Sequence, residues 1–266
     1  MEKTTKTTII AIANQKGGVG KTTTTVNIAA GLVTMGKKVL CIDFDPQSHL
    51  GKYLGYQFDN KPTITDFIFA KASYMLLPPA EDLIRHSNFG IDYIPSSLRL
   101  SKAETVLAQA MFREQVLRDI LPTIIPEGYD FILIDCNPSM GILLTNALVA
   151  ADRVLIPVQT EEFSIDGLAD MMELISMIKG NINPELEIAG LLPTMTDGSA
   201  GCRDVLAQLH EQYPDLTFEV TIGDYKAAPK SVKQRKPVIG TKTKLAAQYM
   251  TAAEELLERI SKEVLL

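Results

Sequence analysis

The sequence predicts an α/β fold: a doubly wound, mostly parallel sheet with helices on both faces. Three observations predict it. Apolar bursts rich in Ile, Val and Leu alternate with stretches of helical periodicity along the whole chain, the order of βαβ units. Several bursts are apolar on both faces, among them Ile132-Leu133-Ile134 and Val154-Leu155-Ile156, which marks strands covered from both sides. A glycine-rich loop joins the first burst to the first helical stretch.

In chain order, strands are expected at Thr8–Ala13, Lys38–Asp43, Ile91–Pro95, Phe131–Asp135, Val154–Val158, Ile188–Pro193 and Phe218–Ile222. Helices are expected at Thr22–Met35, Leu98–Leu121, Ile142–Ala151, Ser164–Lys179, Cys202–Gln212 and Leu245–Val264. Gly36 follows the first helix as a suitable left-handed stop. The last helix sets Leu245, Tyr249, Leu256, Leu257 and Ile260 among Glu254, Glu255, Glu258 and Glu263, an acidic amphipathic pattern that suits packing on the domain. Ligands on such a sheet sit beyond the carboxyl ends of the strands, so the chemistry is expected just after Ala13, Asp43 and Asp135.

The 266 residues contain no repeat, low-complexity linker or Pro/Gly/Ser run, and residues 1–266 read as one domain. A formal net charge of −6, with 46% hydrophobic and 22% charged residues, excludes a disordered chain or one coated in basic residues. Cys41, Cys136 and Cys202 are too scattered for a disulfide framework or zinc site, so a reduced, cytoplasmic protein is expected. The longest stretch free of charge, Cys136–Ala151, is short and interrupted by polar residues, so no membrane span is expected. The Lys/Thr-rich start, Met1–Thr8, is no secretory signal.

The loop Asn14-Gln15-Lys16-Gly17-Gly18-Val19-Gly20-Lys21-Thr22-Thr23 carries the strongest chemical message. Its glycines let the backbone curl so that successive N–H groups point inward. Those groups and the following helix N-terminus attract phosphate oxygens. Lys16 through Thr23, namely Lys16, Gly17, Gly18, Val19, Gly20, Lys21, Thr22 and Thr23, form the expected phosphate site. Lys21 reaches the β- and γ-phosphates and the Thr22 hydroxyl ligates Mg²⁺. The strict pattern G-x-x-x-x-G-K-[ST] fails at Gln15, which stands where the first glycine belongs, and Lys16 is an additional lysine.

Two strand ends add carboxylates. Asp43 and Asp45 share a side if the second strand runs through Asp45. One suits positioning Lys21 or Mg²⁺-bound water, the other orienting a water that attacks the γ-phosphate. Phe131-Ile132-Leu133-Ile134-Asp135 resembles a Walker B strand whose carboxylate supports Mg²⁺. Cys136-Asn137-Pro138-Ser139-Met140-Gly141 then forms a loop placed to sense the γ-phosphate, as switch loops do.

With these motifs the chain resembles the ParA/Soj-type partition ATPases, within the deviant-Walker-A P-loop NTPase group. Further support comes from Asp43-Phe44-Asp45-Pro46-Gln47-Ser48, Ile94–Leu100, Asn146–Asp152 with Ile156-Pro157-Val158-Gln159, and Gly190–Met195. The resemblance covers nearly the whole chain. It implies a cytoplasmic ATPase of weak basal activity that uses ATP and Mg²⁺, pairs into a homodimer on binding ATP, and binds non-specific double-stranded DNA on the nucleoid. A ParB-like centromere-binding protein then stimulates hydrolysis and release. It implies that Lys16 crosses the dimer to the partner's ATP, that Asp45 positions water, and that Asp135 is the Walker B aspartate. Catalytic roles thus fall to Lys16, Lys21 and Asp45, and metal support to Thr22, Asp45 and Asp135. Pro193, Thr194 and Met195 are candidates for adenine contact. The first strand begins by residue 8, so the N-terminal helix-turn-helix domain of larger members is expected to be absent.

Two positions depart from the family. Asn137 stands where a proline is usual, and Gly223-Asp224 replaces a Pro-Arg pair whose arginine often serves DNA binding. Between Tyr225 and Lys244 lie Lys226, Lys230, Lys233, Arg235, Lys236, Lys242 and Lys244 without one acidic residue. The segment reads as a solvated loop or as a phosphate-backbone contact surface. Three other classes share the deviant loop. An iron–sulfur reductase needs paired cysteines at a dimer axis, a membrane-positioning ATPase needs a basic amphipathic tail, and a tyrosine kinase needs a terminal tyrosine cluster. The sequence offers none of these.

Overall fold

Eight strands form in chain order: β1 (Thr8–Ile12), β2 (Val39–Phe44), β3 (Arg85–His86), β4 (Ile91–Ile94), β5 (Phe131–Cys136), β6 (Arg153–Gln159), β7 (Glu187–Thr196) and β8 (Ile222–Gly223). They come from a computed structural model that describes residues 6–161 and 164–263. Part of the N-terminal Lys/Thr-rich segment and Val264, the last residue of the expected tail helix, lie outside the described residues. One sheet holds all eight in the order β3-β4-β2-β5-β1-β6-β7-β8. Every pairing is parallel except β3 with β4. The chain leaves β1 for β2 on one side and later crosses from β5 to β6 on the other. The carboxyl ends of β1 and β5 therefore border the switch point at which such sheets bind ligands.

The helices are α1 (Lys21–Thr34), α2 (His49–Tyr53), α3 (Ile64–Ala72), α4 (Ala103–Leu107), α5 (Val116–Ile124), α6 (Ile142–Ala150), α7 (Ser164–Asn181), α8 (Ala200–Gln212), α9 (Ala227–Gln234) and α10 (Lys244–Glu263). Every residue of β2 and β5 is buried, the apolar runs Val39–Ile42 and Phe131–Ile134 together with Asp43 and Asp135 at their carboxyl ends. On one face of the sheet α3 to α8 supply the core, with Phe67, Leu107, Leu117, Leu144 and Met171. On the other face α1 and α10 supply it, with Ile28, Leu32, Tyr249 and Leu256. Gly31 lets α1 and α10 touch, since a Cβ there would lie 2.6 Å from Ala253 Cβ.

Three expectations are corrected. The single helix over Leu98–Leu121 is instead a 3-10 turn at Leu98–Lys102, α4, a second 3-10 turn at Arg113–Gln115, and α5. Phe112 takes a left-handed backbone (φ 52) that ends helical continuity, and Asn146 of α6 holds the break by bonding Arg113 O (2.8 Å) and Leu117 N (3.0 Å). The last strand covers only Ile222–Gly223 rather than Phe218–Ile222. The Glu255 carboxylate accepts the N–H groups of Glu219 and Val220 and so draws them out of the ladder. The basic segment is not all loop, because Ala227–Gln234 is helical. Sequence reasoning also missed α2, α3 and β3. A Thr63-x-x-Asp66 capping pattern announces α3, and the Asp66 carboxylate does accept Thr63 N (2.9 Å) and Oγ1 (3.0 Å).

Candidate active site

The loop after β1 is fixed at three points. Asn14 donates to Pro157 O (2.8 Å) and accepts from Lys16 N (2.9 Å), which ties the turn to β6. Gln15 donates to Gly167 O (2.8 Å) and Asp170 Oδ2 (3.1 Å) of α7, so the residue that breaks the strict pattern is an anchor. Thr194 donates from Oγ1 to Val19 O (3.0 Å), which joins the loop to β7. Gly18 and Gly20 adopt left-handed φ values of 81° and 88°, which a side chain would strain. Gly20 is the N-cap of α1 and brings no side chain to cap that terminus, and uncapped N–H groups at a helix start suit an anion.

Lys21 is 7% exposed and donates from Nζ to Lys16 O (3.0 Å). Burial lowers its pKa, opposed by the charges of Asp135 and Asp45. Thr22 Oγ1 donates to Asp135 Oδ2 (2.7 Å), and Thr25 Oγ1 lies 3.3 Å from Asp135 Oδ1. The pair juxtaposes the loop hydroxyl and the β5 carboxylate, a donor set of hard oxygens that suits Mg²⁺. Among the described residues no three His, Cys, Asp or Glu side chains form a cage for a metal. A cation here would thus keep much of its water, as Mg²⁺ does at phosphate sites. Burial, then the neighbouring Asp43, push the Asp135 carboxyl well above the usual range.

The two aspartates of β2 and its loop differ in surroundings. The strand ends at Phe44, so Asp45 lies beyond it and does not continue the alternation from Asp43. Asp43 is fully buried and accepts the N–H groups of Gly51 (2.9 Å) and Asp45 (3.3 Å). Asp45 is half-buried. Its Oδ1 accepts Gln47 N (2.9 Å) and its carbonyl accepts Ser96 Oγ (2.5 Å). Asp43 thus braces the Asp45 loop from inside.

Burial raises the Asp43 pKa to about 7. The folded protein then holds a proton that the unfolded chain releases near pH ~4. The stability from this group is full below about pH 4 and is lost as pH rises through about 7. Urea unfolding of the nucleotide-free protein is expected to show this fall across the window, and Asp43→Asn is expected to lessen it, leaving the part that the raised Asp135 carboxyl contributes.

Lys16 points away from its own cradle. Its Nζ lies 3.2 Å from Glu161 Oε2, with both side chains substantially exposed. An open groove of about 300 Å³ runs beside it, lined by Asn14, Gln15, Val19, Gln159, Ser164 and Gly167. A second cavity of about 110 Å³ opens from Gly20 and Thr23 at the start of α1. Thr194 and Met195, two of the adenine-contact candidates, line it, and the third, Pro193, sits in β7 opposite Val158 outside that lining. Tyr225, Pro229 and Tyr249 also line it and were not singled out as site residues in the sequence. The replaced pair was the available signal, since Gly223 has no Cβ to meet the Tyr225 ring, which would lie 2.5 Å from one.

All seven basic residues of the 226–244 segment are exposed, and among the described residues none is held in an ion pair. Lys230 and Lys233 lie on α9, Lys226 is its N-cap, and that spacing sets all three on one side. Arg235 is the left-handed C-cap (φ 54), Lys236 follows it, Lys242 precedes α10, and Lys244 opens α10. Cys41, Cys136 and Cys202 are all buried, so no described cysteine is presented at a surface to share a cluster. The apolar face of α10 is covered by α1 and the sheet, and no described helix is long and apolar enough to cross a membrane.

A glycine-lined loop on a central parallel strand, with a buried lysine in its crook and a neighbouring strand's carboxylate on its threonine, defines a P-loop NTPase. Residues 7–188 match the AAA domain family. The chromosome partitioning protein ParA of Caulobacter vibrioides is 35% identical over 256 residues, 94% of each chain. The sporulation initiation inhibitor protein Soj of Bacillus subtilis is 34% identical over 93% of this chain and 97% of its own. Among solved structures, cobyrinic acid a,c-diamide synthase from Mycobacterium smegmatis with bound ADP and magnesium superposes with a TM-score of 0.80 at 31% identity, over 96% of each chain. The protein belongs to the ParA/Soj family of P-loop proteins.

Proposed function

We propose that this protein is a DNA-partition ATPase whose ATP-bound homodimer binds DNA without regard to sequence and releases it on hydrolysis. The observation that carries this reading is how the basic segment hangs from the nucleotide site. Val238 N donates to Asn27 Oδ1 of α1 (2.8 Å), and Ser231 Oγ of α9 pairs with Tyr53 Oη of α2 (2.5 Å). Helix α1 begins in the phosphate loop and α2 begins just past Asp45, so movement at either end of the triphosphate is passed to α9.

The chain's residues divide the work. Backbone N–H groups from Gly17 to Thr23 hold the β- and γ-phosphates, Lys21 supplies buried positive charge, and the cavity bordered by Thr194, Met195 and Tyr225 takes the base. Thr22, supported by Asp135 and Asp45, would hold Mg²⁺, which would supply positive charge to the triphosphate. Asp45 orients the attacking water. Lys16 is free to exchange Glu161 for a second protomer's triphosphate, which makes fuel and pairing one event. A ParB-like partner accelerates the slow hydrolysis and resets the cycle. ParA and Soj as relatives, and ADP with magnesium in the related synthase, support this reading.

The test is binding to an unrelated DNA duplex with ATP, with ADP and without nucleotide, over a salt series. Tight binding with ATP alone, falling steeply with salt, is expected. Equal binding in all three states would remove the switch.

A further inference from the structure

We propose that Asn137 is a second water-holding residue of the hydrolytic site: its side-chain oxygen accepts a hydrogen bond from the water that attacks the γ-phosphate. The inference rests on the ATPase reading above and names a residue that reading does not use.

Strand order places Asn137. β5 runs between β1 and β2, with Asp135 opposite Ile12 on one side and Asp43 on the other, and Cys136 opposite Phe44. Asn137 is the next residue out. It leaves the sheet with Asp45 on one flank and the entry to the phosphate loop on the other. Pro138, one residue on, approaches that loop, since a Cβ built on Gly17 would lie 4.0 Å from Pro138 Cβ. The Asn137 backbone therefore stands between the group assigned to the water and the groups assigned to the phosphate.

Its side chain is unusual for that place. Asn137 is 7% exposed, and its Oδ1 is buried with no hydrogen-bond partner among the described residues. Buried carbonyl oxygens are nearly always paired, because an orphan pays its desolvation without return. Proline, the residue the family resemblance leads one to expect here, would incur no such cost, so the amide needs another reason. The surroundings say which donor suits it. Asp43, Asp45 and Asp135 already crowd the strand ends with acidic side chains, and a negatively charged side chain at 137 would repel the γ-phosphate. A neutral amide oxygen orients a water proton without adding charge. Lys21 donates to Lys16 O and Lys16 lies on Glu161, so neither ammonium is directed at Asn137.

In the step, the water oxygen bonds to the γ-phosphorus as the bond from that phosphorus to the β,γ-bridging oxygen breaks. The bridging oxygen leaves with ADP. One water proton stays on inorganic phosphate and the other passes to solvent. Asn137 and Asp45 fix the direction of the water's lone pair from two sides, and Asn137 takes no proton.

The experiment compares wild type, Asn137→Ala, Asn137→Pro and Asp45→Ala. Steady-state ATP hydrolysis is read beside the Kd for a fluorescent ATP analogue and the thermal midpoint. Both Asn137 variants are expected to lose about 10²-fold in kcat. Analogue affinity is expected to stay within about two-fold, and the midpoint to stay level or rise, because the orphan oxygen is gone. A structural residue would lower the midpoint and activity together, and that result would overturn the proposal. Wild-type kcat in Asn137→Ala with a dead Asp45→Ala would sink the proposal and leave the ATPase reading standing. A wild-type protein that never hydrolyses ATP would sink both.

Discussion

Lys16→Ala is expected to bind ATP and yet lose at least about 10³-fold in turnover, the size of effect seen when a charge supplied across an interface is removed. The loss alone does not say which site the lysine serves; mixing does. An equimolar mixture of Lys16→Ala and Asp45→Ala subunits, each inactive by itself, forms heterodimers in which one site keeps its own Asp45 and receives Lys16 from the other subunit. If the lysine acts across the two-fold axis, that site works, and the mixture recovers about a quarter of wild-type activity under random pairing. If it acts within its own subunit, one site lacks the lysine and the other the aspartate, and nothing recovers. Lys21 already occupies the crook of the loop at Lys16 O, while the Lys16 ammonium is held outside by Glu161 at 3.2 Å. An exposed pair of this kind is worth about 1 kcal/mol or less, so a triphosphate displaces it readily.

The parts of this molecule legible in the sequence are those written in local chemistry. Apolar runs such as Ile132–Ile134 gave a buried parallel strand, and Gly18, Gly20 and Lys21 gave the loop, because each constraint lies within a few residues of its cause. What failed depended on distant partners. The 98–121 segment has helical periodicity throughout, but Asn146, far along the chain, captures Arg113 O and Leu117 N and fixes a break. Phe218–Ile222 reads as a strand, yet Glu255 of α10 competes for two of its N–H groups. The site followed the same division. Thr22 and Asp135 were each assigned to Mg²⁺ from their motifs, and their side chains meet at 2.7 Å. Asp43 and Asp45 look equivalent in sequence, and only the burial of one and the end of the strand separate them. Tyr225 was missed although Gly223 stands in the sequence, because the link between them is a close approach in space, where a Cβ on Gly223 would meet the Tyr225 ring.

Reversing charge on one side of α9, with Lys226→Glu, Lys230→Glu and Lys233→Glu together, is expected to abolish DNA binding while ATP binding persists. Each lysine that neutralises a phosphate contributes about 0.9 to the slope of log affinity against log salt. Three per protomer and six per dimer set the expected fall in slope at about 5, with affinity down by at least about 10²-fold at low salt. The three residues are exposed and share one side of the helix, so their loss removes a contact surface without opening the core. Lys233 lies in the last turn, where a glutamate opposes the helix dipole by about 0.3–1 kcal/mol. Alanine at that position is the control that separates this cost from the lost contact. The anchors to the nucleotide site, Ser231 to Tyr53 and Val238 to Asn27, are untouched by these changes. ATP turnover without DNA should therefore stay at its basal value. An unchanged salt slope would place the DNA surface elsewhere, and the exposed lysines of α9 would then be a solvated face with no part in partition.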